Sequence, residues 1–344
     1  MSAALFGAAL ALAPGVGRVR FRELLDEHDD HERAFRAAVA AAYRSELERR
    51  AADLLERTAA VESRLLVYGT PQYPSRLRDL PDAPPLLFAR GSVEWLDEGG
   101  PVAAIVGTRA ATAYGERVTR EIAGQLARAG ALVLSGMARG IDAAAHRGAL
   151  GSGGRTGAVL GTGIDIAYPA AHRALHAELS SRGVVLAEQP PGEKATGGSF
   201  PERNRIIAAL ADLVIVIEAG AKSGALITAA RALELGRTVA AVPGPIDSPQ
   251  SAGSNELLRD GAQLIATPAD AIALLGLTAP PRAPAAEVEG PERVVWEALG
   301  RGALDLDTLA STTALPAREI MAAVTRLELT GAVECALTGE IRRR

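Results

Sequence analysis

Between about residue 64 and residue 278 the chain alternates short, nearly continuous apolar runs with stretches of helical periodicity. The apolar runs are 102–106, 131–135, 157–160, 184–188, 213–218, 239–242 and 263–266, and helical patterns fall between them at 113–129, 140–150, 170–182, 202–211 and 224–235. A strand with one wet face alternates apolar and polar residues, whereas unbroken apolar strands are expected where helices cover both faces. Strands and helices alternating at this spacing predict βαβ units: an α/β fold with an extended Rossmann-like, doubly wound, mostly parallel sheet. Ligands on such sheets bind where strands end and helices begin.

The flanks differ in kind. Residues 1–63 are rich in Ala, Arg and Glu, and 30–60 contains neither Gly nor Pro, which predicts one long helix or two in a small all-α N-terminal domain. Ahead of it, Leu12-Ala13-Pro14-Gly15-Val16-Gly17 lies between helical patterns. This is the shape of a helix-hairpin-helix, whose backbone N–H groups can meet a DNA phosphate. It is equally the shape of a tight turn between packing helices, the reading preferred here. Residues 279–291 form a Pro-rich linker. Residues 292–344 read as helix, helix, turn, helix and two short strands. The apolar positions Leu306, Leu309, Ile320, Val324, Leu327 and Leu329, ending at Gly331, suit a C-terminal winged-helix domain. Its segment 316–330 sets Arg318 and Arg326 against Glu319 and Glu328, so packing or partner binding is favoured over reading a DNA groove.

Composition narrows the function. With 37 basic and 41 acidic residues the net charge is −4, which argues against coating DNA by bulk charge. Over 101–270 the balance is 16 basic to 15 acidic, which leaves room for a narrow cationic pocket. The single cysteine, Cys335, excludes an internal disulfide and a Cys-based zinc cluster, and suits a reducing compartment. The apolar run 3–13 is too short to span a bilayer and has no charged region before it, so no signal peptide is expected and a cytoplasmic location without membrane contact is.

Three Gly-rich loops follow successive strands: Val106-Gly107-Thr108-Arg109, Ser135-Gly136-Met137-Ala138-Arg139-Gly140-Ile141-Asp142, and Gly161-Thr162-Gly163-Ile164-Asp165. One such loop is a tight turn; three at one sheet edge point to an anionic ligand held by amides at helix N-termini. A fourth cluster, Phe200-Pro201-Glu202-Arg203-Asn204-Arg205, enters a helix after a Gly-rich loop carrying Lys194. An exposed Phe beside cations suits stacking a base while gripping its backbone, and the plain alternative is a buried Phe with arginines paired to Glu202, Glu188 or Asp212. A fifth, Lys222-Ser223-Gly224, again opens a helix. Lys194 and Lys222 are the only lysines among the 37 basic residues, and both fall in neighbouring loops of this kind. A compact ammonium suits phosphate.

Familiar catalytic patterns fail. No loop completes G-x-G-x-x-G, and around Lys222-Ser223 a P-loop would need glycines where Val216 and Ala221 stand. Ser135, Asp142 and His146 lack a nucleophile elbow, and His146 reads as a packed histidine. His172 and His176 sit at i, i+4 without a completing ligand, which suits a solvated helix face better than a metal. No cofactor or metal is expected.

Together these motifs resemble the DprA/Smf DNA-processing family. The resemblance runs in order through Val106-Gly-Thr-Arg109, Ser135 to Asp142 with His146, Gly161-x-Gly-x-Asp165 with Tyr168-Pro169, Phe200-Pro-x-Arg-Asn-Arg-Ile-Ile207, Lys222-Ser-Gly-Ala-Leu-Ile-Thr228, Val242-Pro-Gly244, Gly253-Ser-Asn-Glu-Leu-Leu258 and Asp260-Gly261. The N-terminal module is similar to that family's helix-hairpin-helix or sterile-alpha-motif-like domain. The resemblance implies a homodimeric, non-enzymatic protein that binds and protects incoming single-stranded DNA and loads RecA recombinase during natural transformation. It implies DNA contact by Gly107, Thr108, Arg109, Gly136, Arg139, Gly140, Lys194, Phe200, Arg203, Asn204, Arg205, Lys222, Ser223 and Gly224. Relatives often carry basic and aromatic residues just before the Phe, where this chain has Ala195-Thr196-Gly197-Gly198-Ser199, so the Lys194 contact departs from the pattern. The competing reading is a Rossmann-type nucleotide hydrolase related to phosphoribohydrolases, whose P-G-G-x-G-T-x-x-E signature would fall at 220–228; here Thr228 replaces its glutamate. A third is a pure adaptor acting through its end domains. If DNA is held by the middle domain alone, removing 1–63 and 280–344 should leave binding intact.

Overall fold

The structure is a computed structural model that describes residues 2–98, 100–278, 289–329, 332–336 and 339–343. Most of the Pro-rich linker and Gly331 lie outside the described residues. Four helices come first: α1 (Ser2–Ala11), α2 (Arg18–His28), α3 (His31–Ala38) and α4 (Ala41–Ala60). The Gly-free stretch is therefore two helices, broken at Val39 and Ala40, which are both extended. Two strands that the apolar runs did not reveal follow, β1 (Arg64–Val67) and β2 (Leu86–Gly91).

The alternating region then runs β3 (Val102–Val106), α5 (Ala113–Arg128), β4 (Leu132–Ser135), α6 (Ile141–Gly151), β5 (Thr156–Leu160), α7 (Arg173–Arg182), β6 (Val184–Ala187), α8 (Ser199–Leu210), β7 (Leu213–Val216), α9 (Gly224–Glu234), β8 (Thr238–Ala241), α10 (Ala252–Arg259), β9 (Gln263–Leu264) and α11 (Pro268–Leu274). All seven apolar runs became strands, and all five helical patterns became helices. The nine strands form one sheet in the order β1-β2-β6-β5-β4-β3-β7-β8-β9. Strands β3 to β9 pair in parallel, and β2 and β1 extend the β6 edge antiparallel. Successive strands run outward from β3 in one direction and from β7 in the other, so the winding reverses between these two central strands. That reversal opens a crevice beyond their C-terminal ends. Every residue of β3, β4, β5, β6 and β7 is buried, which is why these runs carry no polar alternation.

The N-terminal helices pack directly against the sheet region. Leu10, Phe21, Phe35, Leu47 and Leu54 share one apolar core with Val67, Phe88, Leu160 and Val185 of the sheet region. The chain divides into two compact units, 1–280 and 281–344. Within the second lie α12 (Gly290–Ala298), α13 (Leu306–Thr313), α14 (Ala317–Leu329), β10 (Val333–Cys335) and β11 (Ile341–Arg343), with the two strands antiparallel. This is a winged helix around Val295, Leu309, Ile320, Val324 and Leu327. Leu306 and Leu329 fall outside that core and are exposed. Arg326 on α14 is paired with Glu292 of α12, which uses one of its few cations within the domain.

Candidate functional site

A cleft of about 510 Å³ opens at the crevice between β3 and β7. Nine of the fourteen expected contact residues line it: Gly107, Thr108, Arg109, Phe200, Arg203, Asn204, Lys222, Ser223 and Gly224. They come from three separate segments, 107–109, 200–204 and 222–224, which the parallel winding delivers to one edge.

A helix N-terminus attracts an anion only while its amides are unfilled. The N-terminus of α5 is taken: the carboxylate of Glu218, itself buried, accepts from Thr112 N at 2.9 Å and from Thr112 Oγ1 at 2.5 Å. The entry to α6 also holds a carboxylate of the chain, since Asp142 accepts from Ala138 N at 3.2 Å. At α9 the N-cap Ser223 accepts from Ala225 N through its hydroxyl, and no carboxylate occupies the terminus among the described residues. Lys222 beside it is exposed and has no carboxylate partner among the described residues. The α9 terminus is thus the open anion seat of the cleft.

In the same cleft, the Arg109 guanidinium lies 4.9 Å from the centre of the Phe200 ring, a cation–π contact. The ring is half-buried and also tilts against Tyr168, with centroids 5.1 Å apart. The third Gly-rich loop makes room for it: a Cβ on Gly161 would stand 2.9 Å from Phe200 Cδ1. Gly163 likewise lets the backbone of Pro190 and Glu193 approach, and its N–H donates to Glu193 O at 2.7 Å. The glycines of this loop therefore serve close packing and not phosphate, contrary to the expectation of three equivalent anion loops. Gly107 and Gly140 do the same in the other two, against Ile141 and against the Thr108 carbonyl; Gly140 adds a φ of 74°.

Arg203 lines the cleft from below, and is only 5% exposed. Its guanidinium donates to the carbonyls of Gly136 and Val159 and to Asn204 Oδ1, and Gly136 has no side chain because Arg203 fills that space. Burial pushes the Arg203 pKa down to about 10, with the nearby Asp142 charge opposing the shift. Burial likewise raises the Asp142 pKa, against the pull of Arg203. Asn204 carries the network on by donating to the Gly224 carbonyl at 3.3 Å, which ties α8 to the start of α9.

Five expected residues are elsewhere. Arg205 is the clear correction: its side chain is 7% exposed, meets both oxygens of Glu188 at 2.7 Å and reaches Asp82 at 3.2 Å. Arg203 and Arg205 sit two apart on a helix and so point in different directions, one to the cleft and one into the packing against Asp82 and Glu188. Gly136 and Gly140 serve packing, as above. Arg139 and Lys194 are exposed but do not line the cleft. Residues not foreseen there include Asp142, Ile207, Ile227 and Thr228, the last standing where a phosphoribohydrolase would carry its glutamate.

The remaining candidates are structural. Ser135 Oγ donates to the Ile105 carbonyl and His146 Nδ1 meets Thr156 Oγ1 at 2.8 Å, so no Ser-His-Asp relay is assembled. His172 and His176 are buried, not solvated as expected; they bond the carbonyls of Met137 and Ile164 at 3.0 and 2.9 Å and so pin two of the loops. No cluster of metal-binding side chains occurs among the described residues. No described helix is long and apolar enough to cross a membrane.

The sequence matches the family model of DNA recombination-mediator protein A over residues 64–276, and that of the DprA winged helix domain over 279–336. A DprA-type DNA processing protein of Mycobacterium tuberculosis strain H37Rv is 43% identical over 306 residues, which cover 83% of this chain and 78% of the relative. The crystal structure of DNA processing protein A from Streptococcus pneumoniae superposes with a TM-score of 0.68 at 33% identity, covering 78% of this chain and 95% of that one. DNA processing protein A from Helicobacter pylori, whose structure addresses its single-stranded DNA binding mode, gives 0.56 at 32% identity, covering 62% and 95%.

Proposed function

The chain belongs to the DprA/Smf DNA-processing family, and from that premise we propose that it binds single-stranded DNA in the cleft between β3 and β7. One observation carries the reading: Lys222, Ser223 and the open N-terminus of α9 line one cleft together with the Arg109–Phe200 pair. The first group seats a phosphate; the second offers a planar cation and a ring edge to a base. The cations lining the cleft are Arg109, Arg203 and Lys222, a small set that suits a single strand better than the continuous phosphate ridges of a duplex.

In this reading the protein is a mediator and not a hydrolase, as Thr228 supplies no acid where the related hydrolases carry one. It acts in the cytoplasm, as a homodimer, to shield incoming strands and hand them to RecA recombinase. The neutral α14, with Arg326 already paired, supports a protein-binding role for the winged helix.

The test is a fluorescence-anisotropy titration of single-stranded and duplex oligonucleotides at two salt concentrations, on the wild type and Lys222→Ala. With about three to five phosphates neutralised, log affinity for a single strand should fall with log salt at a slope of roughly −2 to −3.5. Lys222→Ala should weaken binding and flatten that slope by about 0.7. Equal affinity for duplex, or an unchanged slope in the variant, overturns the proposal.

A further inference from the structure

Phe200 was expected to offer its face to a base, yet its surroundings are largely filled. Arg109 lies over the ring, Gly161 is packed against its Cδ1 edge, and Tyr168 tilts against it at 39°. A base can reach that face only by displacing Arg109. The aromatic surface that does stand open beside the cleft is Tyr168, at 46% exposure. Its hydroxyl has no hydrogen-bond partner among the described residues. A large, half-exposed ring resting on a cleft-lining ring, in a chain with 3% aromatics, is poorly explained as core.

The segment carrying Tyr168 also anchors the segment carrying Lys194. Asp165 Oδ1 accepts from Gly192 N at 2.8 Å, and Gly163 N donates to Glu193 O at 2.7 Å. Lys194 is exposed and has no carboxylate partner among the described residues. An aromatic face and a free ammonium are thus held on linked loops outside the cleft, repeating the pairing of stacking surface and cation found inside it.

We propose that Tyr168 is a second base-stacking platform, taking a nucleotide that continues out of the cleft past Phe200. The proposal rests on the single-strand reading above. It makes the bound strand longer than the cleft alone can hold. Lys194, outside the cleft, then serves the phosphate of that outer nucleotide.

The experiment compares a dinucleotide with an octanucleotide of thymidine on the full chain and on Tyr168→Ala, Tyr168→Leu and Phe200→Ala. Tyr168→Leu keeps apolar bulk against Phe200 but has no π face, which separates stacking from buttressing. The octamer should lose about tenfold on both Tyr168 variants while the dimer is unaffected, and Phe200→Ala should weaken both. An octamer carrying 5-iododeoxyuridine outside the cleft-bound position should photocrosslink to Tyr168. Octamer binding unchanged in both Tyr168 variants overturns the proposal, as does an equal loss for dimer and octamer, which marks a buttress. If neither Lys222→Ala nor Phe200→Ala weakens any oligonucleotide, the single-strand reading itself falls and takes this one with it.

Discussion

The carboxylate of Glu218, two residues beyond β7, is bound to both the amide and the hydroxyl of Thr112 at the start of α5. An anion of the protein's own thereby occupies a helix terminus that opens on the same sheet edge as the cleft. It leaves α9 as the seat for an external anion, so selection among similar loops is made by an internal carboxylate.

Glu218→Ala is expected to leave the Thr112 amide unsatisfied and to destabilise the fold by about 2 kcal/mol. Chemical denaturation checks this. An unchanged midpoint would show that water replaces the carboxylate without cost.

Arg205→Ala should act on stability and not on DNA. It removes the two hydrogen bonds to Glu188, which keeps Arg18 at 2.7 Å, so the cost should be about 2 kcal/mol. The folded fraction should bind single strands with the wild-type salt slope. A slope lowered as far as in Lys222→Ala would instead make Arg205 a phosphate contact.

His146 gives the fold a pH dependence. Burial lowers its pKa from the ordinary 6.5 to about 3. Thr156 donates its hydroxyl proton to Val133 O, so His146 Nδ1–H donates to Thr156 Oγ1, and Nε2 is left buried without a partner. Between about pH 6.5 and 3 the unfolded chain takes up a proton that the folded ring refuses, so stability is lost as pH falls through that window. From pH 7.5 to 5 the loss from this group should be about 2 kcal/mol. Urea midpoints for His146→Gln should fall less over the same range; an identical fall would assign the effect to other groups.

Truncation separates the two flanks. Removing 281–344 should leave a folded protein that still binds single strands, because residues 1–280 form a compact unit with their own cores. Removing 1–63 should yield insoluble chain, because Val67, Phe88 and Leu160 would lose the cover of Phe21, Phe35 and Leu54. Solubility and circular dichroism of the two truncations decide it. A soluble, DNA-binding 64–344 would make the helices an independent domain, as their composition first suggested.

The limits of the sequence follow from which contacts are local. Strand β3 was legible to the residue because a buried parallel strand must be apolar throughout. Strands β1 and β2 were not: β1 is four residues with two outside the core, and β2 ends in Ala-Arg-Gly, so neither carries a strong period. Lys222, Ser223 and Arg109 were legible because free cations and small residues at strand ends are a local signature. Arg203 and Arg205 look alike in the sequence, yet one lines the cleft and the other is consumed by Glu188. Helical phase separates them only once the position of each helix face is known.

The amino-acid sequence by itself determined the doubly wound sheet, its strand order of appearance, the winged helix and the loops that meet at the crevice, because periodicity and loop chemistry are properties of neighbouring residues. Only the tertiary structure decided which of those loops remains open to an anion, which arginine is spent on a carboxylate 17 residues away, and which aromatic ring still has a free face. Those outcomes depend on pairing between residues far apart in the chain, where a charge or a ring is available to a ligand only if no part of the protein has already claimed it.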